Sequence, residues 1–207
     1  MKTLEYKIYY QRSLPHYQPP GATLFITFRL AGSLPREIIE QIESEKRRLE
    51  NQRLLLEGED VNDWQRRQQK ILFSKYDAEL DNAKYGPQWL AMPEVANMVR
   101  DSLHDQDQKY YILEAYCLMP NHVHMVCTPT GNDIDGFQPI SKIMHRLKGS
   151  TARKANLILH REGEFWQPES YDHVIRGQDE LLRVVNYVLE NPVRGGVSTQ
   201  WTFSRFG

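Results

Sequence analysis

The sequence YYILEAYCLMPNHVHMVC, residues 110–127, contains two runs of aromatic, aliphatic and cysteine residues separated by Met-Pro-Asn. Aromatic and β-branched residues are enriched in β-strands, and a short segment with Pro and Asn is typical of a tight turn. We therefore predict two strands, residues 110–118 and 122–127, that the turn Met119-Pro120-Asn121 joins as an antiparallel hairpin.

Predicted elements on either side of the hairpin define the fold class. A strand over 23–30 follows the breaker Pro19-Pro20-Gly21, and a helical stripe begins at residue 92. The remaining elements are a basic helix over about 140–159, a short strand over about 171–176 and a last helix over about 179–190. The resulting order, β-α-β-β-α-β-α, predicts an α+β ferredoxin-like βαββαβ antiparallel sheet with helices on one face, and the last helix can reach the other face.

A densely charged segment, about residues 36–84, interrupts this order after the first strand. It follows Ser33-Leu34-Pro35, which is typical of a helix start, and its apolar residues are spaced as in helices. We predict a helical hairpin, broken near residues 58–63. We interpret it as an insertion into a single domain that spans residues 1–207.

The composition is that of a globular protein, with 207 residues, 40% hydrophobic, and 26 Lys and Arg against 27 Asp and Glu. No run of 18 apolar residues occurs, and the first residues lack the apolar core of a signal peptide, so we expect a cytoplasmic chain without a membrane segment. Cys117 and Cys127 fall inside predicted strands and are expected to be buried thiols. Because the net charge is only −1, a nucleic-acid surface would require local segregation of Lys and Arg.

His122 and His124 are two residues apart on a predicted strand, so both imidazoles point to one face of the sheet. They could share a metal ion. Imidazole suits Zn, Mn, Ni, Cu and Fe and, with oxygen ligands, also allows Mg. The alternative is two ordinary strand histidines, and a third ligand is needed to decide.

The last helix offers such a ligand. Tyr187 and Asn191 are four residues apart and would lie on one helical face, while Leu181, Val185 and Val188 form the packing stripe. The alternatives are a half-buried aromatic for Tyr187 and a helix terminator for Asn191, which precedes Pro192.

The helix over 140–159 lies in a gap free of acidic residues between Asp135 and Glu162. This gap predicts a surface for phosphate contacts, with a solvated helix face as the alternative. Arg12 and His16, among aromatic residues near the start of the chain, are further candidates for DNA contacts. The predicted contacts in the gap are Lys142, Arg146, Lys148, Arg153 and Lys154.

Six segments occur in the order of a known family: PHYQPPGAT (15–23), FRL (28–30), AYCLMPNHVH (115–124), FWQ (165–167), DHVIR (172–176) and YVLENPVR (187–194). Together they resemble the HUH single-strand (IS200-like) transposases and, within them, the REP-associated tyrosine transposases. The segment over 36–84 is the least specific part of this resemblance.

The resemblance implies a ferredoxin-like fold with His122 and His124 as metal ligands and Tyr187 as the nucleophile. Asn191 stands where the wider group often carries Gln, and the resemblance implies that it is the third ligand. The implied reaction is metal-dependent cleavage and rejoining of single-stranded DNA through a 5′-phosphotyrosine, with Mg or Mn as the metal and REP-type hairpins as the substrate. It leaves open whether the protein is a monomer or a homodimer.

Two other functions remain open from the residues alone. A metal hydrolase would activate water at the same His pair and leave Tyr187 without a role. A domesticated module that binds single-stranded DNA or RNA would use aromatic residues on the sheet to stack bases, and it would need neither the His pair nor the tyrosine.

Overall fold

A computed structural model describes residues 9–11, 15–17, 19–53, 61–133 and 136–206 of the chain. Its strands are β1 (Tyr9–Gln11), β2 (Pro15–Tyr17), β3 (Leu24–Leu30), β4 (Tyr111–Leu118), β5 (His122–Pro129), β6 (Gly131–Asp133), β7 (Gly136–Phe137), β8 (Trp166–Val174) and β9 (Thr202–Ser204). Its α-helices are α1 (Arg36–Arg53), α2 (Val61–Asp81), α3 (Pro93–Gln106), α4 (Ile140–Ile158) and α5 (Gln178–Arg194).

The main sheet has five strands in the order β8-β3-β5-β4-β9, and every pair is antiparallel. Four of these strands, β3, β4, β5 and β8, are those of the predicted ferredoxin-like arrangement. Strand β5 lies at the centre, where His122 pairs with Arg29 and His124 pairs with Thr27 of β3. The predicted α+β fold is confirmed, with β9 as an additional strand along β4.

The two faces of the sheet are covered by different helices. On one face, Val123 and Met125 of β5 pack in a large apolar cluster with residues of α3 and α4. On the other face, Phe25 and Val126 pack with Val185 and Val188 of α5. The last helix therefore covers the opposite face from α3 and α4, as predicted.

The charged segment folds as the helices α1 and α2, which Lys75 and Glu45 join through an ion pair with an N–O distance of 3.7 Å. The predicted break falls partly on residues 54–60, which lie outside the described residues. The end of α2 is fastened to the sheet. The Nε atom of Arg29 donates to the hydroxyl of Tyr76 at 2.7 Å, and the Nδ2 atom of Asn121 donates to the carbonyl of Leu80 at 3.0 Å.

Two predicted boundaries are wrong. Helix α5 continues through Pro192 to Arg194, because a proline in the last turn removes only one hydrogen bond from the helix. Strand β8 begins at Trp166 rather than near residue 171. It is the edge strand of the sheet, where Pro168 is tolerated because no neighbouring strand needs its missing N–H.

Among the described helices, none combines the length and the apolar composition that crossing a bilayer requires.

Candidate functional site

Two buried imidazoles form the centre of the site. His122 and His124 project from β5 toward the face that α5 covers, and both are fully buried. Their Nε2 atoms lie 3.0 Å apart. Burial lowers the pKa of His122 to about 3. Burial also lowers the pKa of His124, with further contributions from His122 and Arg194. Both rings are therefore neutral at pH 7. Neutral imidazole is the form that binds metal ions.

Hydrogen bonds to the Nδ1 atoms orient the two rings. The amide of Asn121 donates from Nδ2 to the Leu80 carbonyl, so its Oδ1 faces His122 and accepts from Nδ1 at 2.7 Å. The proton of neutral His122 is therefore on Nδ1, and its Nε2 carries a free lone pair. The Nδ1 atom of His124 lies 2.8 Å from the hydroxyl of Thr27, which can accept a hydrogen bond from the Nδ1–H group in the same way.

Two carboxylates from α2 face this pair. Asp77 and Asp81 are four residues apart, and so they lie on one face of the helix. The Oδ1 atom of Asp77 lies 3.4 Å from Nε2 of His124, and that of Asp81 lies 3.6 Å from Nε2 of His122. Ligand atoms of all four residues lie within 4.8 Å of one another.

The carboxylates lack the partners that buried charges need. The side chain of Asp77 is only 4% exposed, and among the described residues neither its Oδ1 nor that of Asp81 accepts a hydrogen bond. Burial, with the charge of Asp81, raises the pKa of Asp77 to about 8, and burial raises that of Asp81 to about 6. Two neutral imidazoles and two unpartnered carboxylates are a donor set that fits a divalent cation.

Helix α5 brings the remaining predicted residues to the same place. Asn191 is fully buried, its Nδ2 lies 3.3 Å from Nε2 of His124, and its Oδ1 has no partner among the described residues. The ring of Tyr187 is half-buried, with its centroid 5.7 Å from that of His124 and 6.0 Å from that of Phe25. The described structure thus brings together His122, His124, Asn191 and Tyr187, which come from two separate segments of the sequence.

Asp77 and Asp81 are missing from the residues predicted from the sequence. They belong to the segment interpreted as an insertion, where acidic residues are frequent and none stands out. Their four-residue spacing at the end of a helix was the only available signal, and many exposed helix faces share it.

The predicted DNA-binding residues lie elsewhere. Helix α4 covers the sheet face opposite to the His pair, where Lys142, Arg153 and Lys154 are exposed. The guanidinium of Arg146 stacks 3.9 Å from the ring centroid of Tyr110. The ammonium of Lys148 donates to three successive carbonyls of β8, with N–O distances of 2.9 to 3.2 Å. Its hydrogen bonds therefore support the edge strand.

Neither N-terminal candidate has a side chain within the described part of the chain. Arg12 lies outside the described residues. His16 belongs to β2, but its side chain is not among those described. Their predicted contacts with DNA stay predictions.

Comparison with known proteins gives a consistent result. Residues 83–191 match the model of a protein family described as IS200-like transposase. A protein of Haemophilus influenzae named as a REP-associated tyrosine transposase is 26% identical over 115 residues, which are 51% of this chain and 65% of the relative. The REP-associated tyrosine transposase of Escherichia coli K12 is 29% identical over 98 residues, 45% of this chain and 53% of the relative.

The match thus spans between half and two thirds of the length of these curated relatives. A solved REP-associated tyrosine transposase bound to a REP hairpin is 17% identical, with a TM-score of 0.48 over 93% of this chain and 76% of that chain.

Proposed function

Because the chain belongs to the IS200-like transposase family, we propose that it cleaves and rejoins single-stranded DNA at or near REP-type hairpins, with Tyr187 as the nucleophile. The observation that carries the proposal is the convergence of Tyr187 with His122 and His124, whose rings lie on the same side of the sheet. The proposed location of this reaction is the cytoplasm.

In the proposed reaction, the phenolic oxygen of Tyr187 attacks the scissile phosphorus and the bond to the 3′ oxygen breaks. The phenol releases its proton, and the leaving 3′ oxygen takes up a proton. The products are a 5′-phosphotyrosine and a free 3′-OH, so the energy of the phosphodiester is kept and a second strand can reverse the step. The reaction involves no oxidation or reduction, and no nucleotide cofactor is needed.

His122, His124 and Asn191 would hold a divalent ion, and Asp77 and Asp81 extend this ligand set beyond the residues expected from the sequence. When bound, the ion supplies positive charge that polarises the scissile phosphate. Oxygen donors from Asp77, Asp81 and Asn191 beside the two imidazoles would suit Mg or Mn.

The DNA hairpin is the proposed partner because both curated relatives carry REP in their names. Positive charge for its backbone would come from the exposed residues of α4 and from the N-terminal residues Arg12 and His16. The protein acts in this proposal as a monomer or a homodimer.

The test uses purified protein, labelled single-stranded hairpin oligonucleotides and Mn²⁺. The wild-type protein should form a protein–DNA adduct that survives denaturation, and Tyr187→Phe should lose both cleavage and the adduct while it still binds the hairpin. Tyr171→Phe is the matched control, since its ring also packs against Phe25 at 6.4 Å and the variant should keep its activity. Continued nicking by Tyr187→Phe at the same position would instead identify a hydrolase that uses water. A wild-type protein that binds the hairpin without cleaving it would identify a binding module.

A further inference from the structure

A cationic side chain lies against the face of Tyr187. The guanidinium carbon of Arg194 is 4.6 Å from the centroid of the tyrosine ring, and its Nη2 donates to the Tyr187 carbonyl at 3.3 Å. Arg194 reaches this position because α5 continues through Pro192. Residues seven apart in a helix are nearly in line, so Arg194 stands two turns beyond Tyr187 on the same face.

The tyrosine ring that Arg194 covers also borders the proposed metal ligands. The centroid of the Tyr187 ring lies 5.7 Å from that of His124. Arg194 therefore contacts the residue that lies beside the metal site.

The donors of Arg194 are largely unused. Its side chain is exposed, and within the described parts of the chain it forms no ion pair with a carboxylate. Among the described residues, its one hydrogen bond is the long one to the Tyr187 carbonyl, at 3.3 Å. A guanidinium stays protonated at every working pH and presents paired N–H groups that match two oxygens of a phosphate.

We propose that Arg194 is a catalytic residue that binds the two non-bridging oxygens of the scissile phosphate when Tyr187 attacks. This inference rests on the proposed function. The guanidinium stabilises the negative charge on these oxygens while the bond from Tyr187 to phosphorus forms and the bond to the 3′ oxygen breaks. Arg194 transfers no proton. Its role differs from that of the metal ligands, because it contacts the phosphate from the side of the tyrosine ring.

The alternative is a structural role, in which Arg194 only caps the last turn of α5. A pair of substrates separates the two roles. One oligonucleotide carries the ordinary scissile phosphate, and the other carries a neutral methylphosphonate at that position. Arg194→Gln should slow single-turnover cleavage of the ordinary substrate about 100-fold, but it should slow cleavage of the methylphosphonate less than about 5-fold. Arg194→Lys keeps the charge without the paired donors, and its rate should fall between those of Gln and wild type.

A binding measurement adds a readout that does not depend on cleavage. In the Tyr187→Phe background, Arg194→Gln should weaken binding of the ordinary oligonucleotide by about 10-fold and leave binding of the methylphosphonate nearly unchanged. Arg100→Gln makes the same change of net charge on α3, which covers the opposite face of the sheet, and it should affect the two oligonucleotides equally.

Equal slowing of both substrates by Arg194→Gln would overturn the inference in favour of the structural role, and so would an unchanged rate on both. If the wild-type protein forms no adduct with the ordinary substrate, the proposed function itself fails, and this inference fails with it. A wild-type adduct together with equal slowing would overturn the role of Arg194 alone.

Discussion

Lys70 of α2 and Glu180 of α5 form an ion pair with an Nζ–Oε1 distance of 3.0 Å. The same carboxylate accepts from Nε2 of His173 at 3.1 Å and from the backbone N–H of Arg176 at 2.8 Å. One side chain therefore joins the helix that carries Asp77, the end of β8 and the first turn of the helix that carries Tyr187.

This junction predicts a dependence of stability on pH. Burial raises the pKa of Glu180, but the hydrogen bonds from Arg176, His173 and Lys70 outweigh burial and bring the pKa to about 2. Because the pKa is lower in the folded state than the ordinary value of 4.5, the carboxylate contributes stability above pH 4.5 and loses it as the pH falls toward 2. Glu180→Gln should lower the free energy of unfolding by about 2 kcal/mol at pH 7 and by far less near pH 2, as measured by urea denaturation. The exposed Glu190→Gln is the control, and an equal loss at both pH values would contradict the prediction.

Replacing a carboxyl group of α2 should change the thermal stability differently with and without metal. Because burial and the charge of Asp81 raise the pKa of Asp77 to about 8, its carboxyl is mostly protonated at pH 7 without metal, and the neutral Asp77→Asn should leave the melting temperature in EDTA unchanged or raise it. In Mn²⁺ the variant should gain less stability than the wild type does, because its affinity for the ion should fall by about 10- to 100-fold. Calorimetric titration with Mn²⁺ measures the affinity directly. The exposed Asp105→Asn on α3 should match the wild type in both conditions, and an unchanged affinity of Asp77→Asn would exclude Asp77 as a ligand.

The three ligands predicted from the sequence should differ in importance. His122→Ala or His124→Ala should abolish cleavage, and a chelator should have the same effect on the wild type. Asn191→Ala should cost less, because an amide is a weak neutral ligand that water can replace. Cleavage rates measured across a series of Mn²⁺ concentrations test this order. Full activity in excess EDTA after exhaustive dialysis would remove the metal from the mechanism.

The basic residues of α4 should separate into two groups. Neutralising the exposed Lys142, Arg153 and Lys154 should weaken hairpin binding and reduce the slope of log K against log salt by roughly one unit per lost phosphate contact. Lys148→Met should mainly destabilise the fold, since three carbonyls of β8 lose their donor. Fluorescence anisotropy at several salt concentrations measures the slope. If it does not change in the triple variant, this face of α4 is only solvated.

The order of the strands and the convergence of the His pair follow from local patterns in the sequence. The two-residue period of a strand is enough to put His122 and His124 on one face, and the register of β5 with β3 does not alter it. The approach of Asp77 depends instead on how α2 packs against the sheet, 45 positions away from His122 in the chain. No periodicity within α2 indicates this packing, so the proximity of the two carboxylates to the His pair is evident only in the folded chain.

The end of α5 shows a second limit. Asn191 before Pro192 is an ordinary signal for the end of a helix, and this interpretation leaves Arg194 outside α5. In the folded chain, the buried Pro192 stays helical and the N–H of Gly195 donates to the carbonyl of Asn191 at 2.9 Å. Tertiary packing thus overrides the local signal, and with it changes which residues face Tyr187.

Strand β9 has a consequence for the behaviour of the protein at high concentration. It pairs with β4 through Ala115, Tyr116 and Cys117, and Arg205 then donates to the Leu113 carbonyl at 2.9 Å. The backbone of an uncovered edge strand can pair with another copy of the chain and start aggregation. Here the apolar strand that leads into the His pair is shielded by three residues of backbone and one guanidinium. Removal of residues 202–206 would therefore favour intermolecular strand addition at β4 and make turbidity grow with protein concentration.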